Sequence, residues 1–295
     1  MKITITGASG FIGRRLLARL SGHSLQVFSR GANSSLPAGV GSAVWDPLQG
    51  PPPAAALAGT DVVIHLAGEP VAQRWTAAAK RRIRESRVAG TRHLVDGLRQ
   101  MERPPAALVC ASAVGYYGSR GDEVLTESST PGEGFLPEVC VAWEKEADGA
   151  RVLGTRVAKI RIGIVLDPKG GALAKMLPPF RMGVGGPLGN GQQWMSWIHL
   201  DDLVRLIVHA VERPLEGAVN GVAPEPVRNH EFTRALGKAL HRPAFLPVPG
   251  FALGMIFGEM GEVLLASQRV LPAAAEASGF GFQHRRLEDA LQDLL

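Results

Sequence analysis

Lys2-Ile-Thr-Ile-Thr-Gly7-Ala-Ser-Gly10-Phe-Ile-Gly13-Arg-Arg-Leu-Leu17 is the stretch that decides the fold. Ile3 and Ile5 alternate with polar residues, the period of a short strand. Gly7 then marks a tight turn. Phe11, Ile12, Leu16, Leu17 and Leu20 follow at helical spacing, so the order is strand, glycine turn, helix. Each glycine answers a different need. Gly7 permits the turn, Gly10 lets a pyrophosphate approach the backbone, and Gly13 lets the helix pack on the strand. The start of the helix presents unpaired N–H groups and the positive end of its dipole to phosphate. Gly7, Ser9, Gly10, Phe11, Ile12 and Gly13 are therefore the expected dinucleotide cradle. The spacing is G-x-x-G-x-x-G rather than G-x-G-x-x-G.

Outward from this stretch, the 295 residues are 45% hydrophobic and 20% charged, an ordinary globular composition. That length holds one large domain, or a large and a small one. The net charge of +5 comes from dispersed residues, apart from Lys80-Arg81-Arg82-Ile83-Arg84 and Arg87. Those lie on an expected helix that also carries Glu85, so they read as a solvated face and nucleic-acid binding is not expected. The two cysteines, Cys110 and Cys140, form no C-x-x-C pair, and no His/Cys/Asp/Glu cluster has metal-ligand spacing. No G-x-S-x-G nucleophile turn is present. The chain opens directly on a strand, without the segments of a signal peptide. No apolar run approaches the roughly 20 residues of a membrane span. A reduced, cytoplasmic setting is expected.

The second strand, Leu25 to Ser29, ends at Ser29-Arg30-Gly31. A site selective for NAD usually carries Asp or Glu there for the ribose 2′-hydroxyl. Serine and arginine instead suit a 2′-phosphate, which favours NADP(H). Asp61 to Gly68 reads as a buried parallel strand, and the small residues of its carboxyl end, Leu66-Ala67-Gly68, would admit a ligand. Thr76 to Met101 is a long helix. Ala106 to Ser112 is the next buried strand, followed by a turn bearing Tyr116 and Tyr117. Pro137 to Ala147 is helical, and Arg156 to Leu166 is strand-like.

This alternation predicts an α/β fold of the doubly wound Rossmann type, a parallel sheet with helices on both faces, plus a smaller C-terminal substrate-side region. The expected core is 1–166, with elements at about 190–225 returning to it. Residues 167–247 supply mixed substrate-side elements and 248–295 a helical extension. Gly170-Gly171 and Gly183 to Gly186 read as flexible loops. Asp201 or Asp202 is the expected N-cap of the helix at Leu203 to Val211. Trp194 and Trp197 are expected walls of a substrate pocket.

The motifs Thr6-Gly-Ala-Ser-Gly-Phe-Ile-Gly13, His65-Leu-Ala-Gly68, Ala111-Ser-Ala-Val-Gly-Tyr-Tyr-Gly118 and Trp197-Ile-His-Leu-Asp-Asp202 resemble those of extended short-chain dehydrogenases/reductases. Leu66-Ala-Gly-Glu-Pro70, Trp143-Glu144 and Pro178-Pro-Phe-Arg-Met-Gly-Val-Gly-Gly-Pro187 resemble the atypical, NADP-binding "epimerase family" branch, including its C-terminal extension. The resemblance spans nearly the whole chain. It implies NADP(H) at the carboxyl ends of the strands, with Ser29, Arg30, Leu66, Ala67, Arg87 and Val165 as cofactor contacts, Val165 through its backbone near the nicotinamide. Gly68 and Ser112 join them by position.

One departure stands out. Most short-chain dehydrogenases carry Tyr-x-x-x-Lys on a helix, where the i, i+4 spacing puts a lysine charge beside a tyrosine proton carrier. This chain has only Tyr116 and Tyr117, with Arg120 and Gly121 four residues on. The best alignment puts Cys140 and Glu144 at the positions of the pair, and a shift by one puts Val141 and Lys145 there, still without the tyrosine. The accompanying Ser or Thr is Ser112, or in the alternative register Ala113. Ser112, Tyr117, Cys140, Glu144 and His199 remain as candidate proton carriers, and Glu69, Arg74 and Trp194 as candidate substrate contacts. The expected function is an NADP(H)-binding oxidoreductase or nucleotide-sugar-epimerase-like enzyme that lacks the usual pair. The alternative is an inactive NADP(H)-binding sensor or scaffold. A small-molecule substrate and a monomer or homodimer are expected.

Overall fold

The computed structural model describes residues 1–31 and 36–295. Seven strands form its central sheet: β1 (Lys2–Thr6), β2 (Ser24–Ser29), β3 (Gly41–Val44), β4 (Val62–His65), β5 (Ala107–Ala113), β6 (Arg156–Ile162) and β7 (Gly217–Gly221). Their order is β7-β6-β5-β4-β1-β2-β3, and every pair is parallel. This is the Rossmann arrangement expected from the alternating elements. Parallel strands need crossover helices, which cover both faces, and so β4 and β5 read as nearly continuous apolar runs.

Helices α1 (Phe11–Arg19), α2 (Ala77–Arg99), α3 (Phe135–Asp148), α4 (Gly171–Arg181) and α5 (Leu200–Glu212) follow in chain order. α1 and α5 pack on one face, where Leu16, Leu203 and Ile207 meet Ile3, Ile5, Val109 and Ile160. α2 and α3 cover the other, where Leu94, Leu98 and Trp143 meet Val63, Leu108 and Val157. Strand alternation decides which residue goes where. Leu108 and Cys110 face α2 and α3, and Val109 faces α1.

The register positions the site. Thr6 at the end of β1 pairs with Phe28 on one side and His65 on the other. The carboxyl ends of β1, β2 and β4 are therefore level. The strand order reverses between β1 and β4, and ligands of such sheets bind in the crevice outside that point.

Several expectations are corrected. The strand expected over Arg156 to Leu166 breaks at Gly163. A Cβ there would lie 2.5 Å from the Ser196 carbonyl oxygen, and Ile164–Asp167 pairs with Trp197–His199 outside the main sheet. The glycines read as flexible are packed. A Cβ on Gly170 would sit 2.8 Å from Phe11, and one on Gly186 would collide with the Leu246 carbonyl. The segment between them is α4. The N-cap of α5 is His199, whose Nδ1 accepts the Asp201 N–H at 3.0 Å. Asp201 instead pairs with Arg15, and Asp202 accepts from the Gln283 and His284 amides.

The C-terminal part adds α6 (Asn229–Ala239), α7 (Gly250–Phe257), α8 (Met260–Leu265) and α9 (Leu287–Leu294). α4, α6 and α9 share a core with fully buried Trp197, Phe232 and Leu236. Trp197 is thus a core residue and not a pocket wall. Met260 of α8 packs with Trp75, Ile83 and Phe135, which brings the extension against the loop after β4. No helix among the described residues is long and apolar enough to cross a membrane.

Candidate active site

The glycine turn is built as a cradle. Gly7 has φ +73°, and a Cβ there would lie 2.7 Å from the carbonyl carbon of Leu66. A Cβ on Gly13 would lie 2.5 Å from both the Cα of Ala8 and the carbonyl oxygen of Gly7. A Cβ on Gly10 meets only the Gly7 carbonyl oxygen, at 3.2 Å. Its outer side stays open for a ligand to approach the backbone. Gly10 caps α1 without a side chain, and the first turn holds no acidic residue. The N–H groups of Phe11, Ile12 and Gly13 therefore point into the crevice with the helix dipole behind them. A pyrophosphate fits this shape and this charge.

The end of β4 is locked from below. Thr6 Oγ1 accepts the amides of Leu66 and Ala67, each at 3.2 Å, and so donates to His65 Nδ1 at 2.7 Å. His65 Nε2–H then donates to Thr91 Oγ1 at 3.0 Å. Burial, reinforced by the charge of Arg87, pulls the His65 pKa down to about 4, so the ring is neutral. The guanidinium of Arg87 covers Gly68, where a Cβ would lie 3.1 Å from its Cζ. It donates to the Glu69 carbonyl at 2.9 Å and stacks 5.2 Å from the Trp143 ring. Val165 is buried, and a Cβ on Gly171 would lie 3.2 Å from both its carbonyl oxygen and the Phe11 ring. At the end of β2, Ser29 Oγ donates to the Gly31 carbonyl at 2.6 Å, and Arg30 is exposed.

Three of the candidate proton carriers, Ser112, Tyr117 and Glu144, lie in one buried network. Ser112 Oγ donates to Glu144 Oε1 at 2.7 Å. Arg161 grips the same carboxylate with two bonds, Nε to Oε1 at 2.8 Å and Nη2 to Oε2 at 2.9 Å. Its Nη1 donates to the Tyr117 hydroxyl at 3.0 Å, and that hydroxyl donates to Asn220 Oδ1 at 2.7 Å. The guanidinium also lies 3.4 Å from the centre of the Tyr116 ring. Burial raises the Tyr117 pKa. Burial, then the Glu144 charge, push the Cys140 thiol up to about 12. A thiol so weakly acidic is a poor nucleophile and proton donor near neutral pH. Because Ser112 points under α3, alternation turns Ala113, the last residue of β5, to the opposite face.

The other candidates are dispersed. The Glu69 carboxylate meets Gln73 at 3.2 Å and Arg82 at 3.4 Å. Arg74 donates to the Met255 carbonyl of α7 at 3.4 Å. The Trp194 indole donates to Asp122 at 2.7 Å, with Arg228 and Arg269 over its ring at 4.7 and 4.6 Å. His199 gathers with His284 and Asp293, but its Nδ1 already accepts an amide, so Nε2 holds the ring proton and has no lone pair for a cation. Arg161 and Asn220 are the members that sequence reasoning missed. For Arg161 the available signal was that Lys159 and Arg161 alternate with apolar residues in a strand expected to be covered on both faces, where a charge requires a buried partner.

The pattern of the NAD dependent epimerase/dehydratase family matches residues 3–223, and that of a domain of unknown function, DUF1731, matches 248–294. The epimerase family protein SDR39U1 homolog, chloroplastic, of Arabidopsis thaliana is 44% identical over 100% of this chain and 87% of its own. The Bacillus subtilis epimerase family protein YfhF is 38% identical over 100% and 98%. Among solved structures, human epimerase family protein SDR39U1 (isoform 2), crystallised with NADPH, superposes with a TM-score of 0.90 at 34% identity, covering 100% of this chain and 99% of that one. A nucleoside-diphosphate sugar epimerase of Corynebacterium glutamicum gives 0.80 at 37%, covering 100% and 58%. The open glycine cradle, the sheet order and these matches along the whole length agree: the chain belongs to the NAD dependent epimerase/dehydratase family.

Proposed function

We propose that this protein is an NADP(H)-dependent oxidoreductase of epimerase type that acts on a small-molecule substrate without a Tyr–Lys pair. The observation that carries the reading is the uncapped glycine cradle beside a β2 end that offers Ser29 and Arg30 and no carboxylate. When bound, the nicotinamide supplies hydride transfer at its C4. The chain supplies the rest. Amides at the start of α1 bind the pyrophosphate, and Arg30 neutralises the 2′-phosphate. Leu66, Ala67 and Gly68 form one wall of the crevice with Arg87 behind them, and the Val165 backbone faces the nicotinamide. Ser112, Tyr117 and Glu144 are held in the buried network and Cys140 is weakly acidic, so proton handling falls outside that set. Glu69, on the loop after β4 and paired with Gln73 and Arg82, remains a candidate substrate contact.

Direct binding tests this reading. NADPH should bind more tightly than NADH, and Arg30→Ala should weaken NADPH by about tenfold, one charge-assisted hydrogen bond, while leaving NADH unchanged. An unchanged preference in the variant defeats the assignment. The C. glutamicum relative makes sugar nucleotides the first substrates to try, followed by aldehydes and ketones.

The locked network favours a second reading, an NADP(H)-binding protein without turnover. Cys140 and Glu144, at the positions of the catalytic pair, are both buried. Cofactor binding with no oxidation or reduction across the substrate panel selects that reading.

A further inference from the structure

Helix α6 borders a cavity of about 600 Å³ that is separate from the cofactor cradle. Ligand pockets commonly fall in this size range. His230, Arg234 and Lys238 recur at i, i+4 and i+8, so they lie along one helix face. Pro187 and Phe245 form the facing wall, and Phe245 is 70% exposed. The wall is held close to the helix at Gly237, where a Cβ would lie 2.6 Å from the Cβ of Ala244.

The charge of the cavity is one-sided. Its lining carries Arg234, Lys238 and Arg242 and no carboxylate. Arg242 Nε donates to the Arg181 carbonyl, while Arg234 and Lys238 form no ion pair among the described residues.

We infer that this cavity binds an organic phosphate, with the phosphate on Arg234 and Lys238 and a ring against Phe245. Guanidinium and ammonium groups supply charge-assisted bonds to the dianion, and the exposed aromatic face supplies the apolar contact. The site is independent of the cradle, so it stands whichever reading of the crevice holds.

Calorimetric titration of phenyl phosphate into protein saturated with NADPH tests it, because the cradle is then filled. Phenyl phosphate should bind with Kd below about 1 mM, about tenfold tighter than inorganic phosphate, and more weakly as salt rises. The double variant Arg234→Glu, Lys238→Glu should lose at least about tenfold in affinity, with the NADPH Kd unchanged as the check on folding. Absence of saturable binding, or equal affinity in the charge-reversed variant, overturns the site. Equal affinity for inorganic phosphate overturns the organic-phosphate assignment.

Discussion

Replacing Glu144 by glutamine removes the charge that holds Arg161 in the interior and keeps the side-chain shape. The two side chains are 7% and 5% exposed, and they share two bonds of 2.8 and 2.9 Å. At an effective dielectric of about 20, unit charges about 4 Å apart attract by about 4 kcal/mol. Breaking a buried pair by removing one partner costs about 3–5 kcal/mol, because the other charge is left without compensation. Lys159 adds to the strain. It stands 3.8 Å from the same carboxylate and would keep only Asp148, at 2.6 Å. The expected loss is therefore about 4 kcal/mol, which lowers Tm by roughly 10 °C for a chain of this size. Urea unfolding followed by tryptophan fluorescence measures it. The double variant Glu144→Leu, Arg161→Met should recover at least half, since a matched apolar pair removes both buried charges. A Glu144→Gln protein within about 1 kcal/mol of the parent would refute the structural role, and lost turnover at full stability would restore Glu144 as a proton carrier.

Two pH effects follow from burial. His65 has its folded pKa lowered from 6.5 to about 4, so the unfolded chain takes up the proton first as pH falls. Its contribution is complete above pH 6.5 and is lost as pH drops towards 4, about 3 kcal/mol in all. Unfolding free energies between pH 7 and 4 should show this fall, and His65→Gln should flatten it; an equal slope in the variant refutes the assignment. Cys140 has its folded pKa raised from 9.0 to about 12. The unfolded chain gives up that proton first as pH rises, so stability should decline from about pH 9 upward. At pH 8 the native thiol should resist iodoacetamide and react only on unfolding. Rapid labelling of the folded protein would contradict the burial.

Much of the fold was legible because its determinants are local. The turn at Gly7, with its φ of +73°, and the close approach at Gly13 to Ala8 and the Gly7 carbonyl depend on neighbours within a few residues. The apolar runs of β4 and β5 announced strands covered on both faces. Where the reading failed, the cause lay at a distance. Gly170 and Gly186 resemble loop glycines in isolation, yet Phe11 and Leu246 close on them from remote parts of the chain. His199 caps α5 because the helix begins at Leu200, which puts Asp201 inside the first turn, where it pairs with Arg15. Trp197 lies in a core assembled from α4, α6 and α9.

For the site, the line falls between neighbour effects and pairings. The sequence by itself determined the strand, glycine turn and helix of the opening stretch, the absence of a carboxylate at the end of β2 and the absence of a Tyr-x-x-x-Lys motif, since each is a matter of which residue stands beside which. Only the tertiary structure decided that Glu144 is gripped by Arg161 and that Ser112 donates to the same carboxylate. Those facts depend on α3 lying across β5 and β6. A carboxylate looks the same in a sequence whether it meets water or a buried guanidinium, and only the packed sheet settles which.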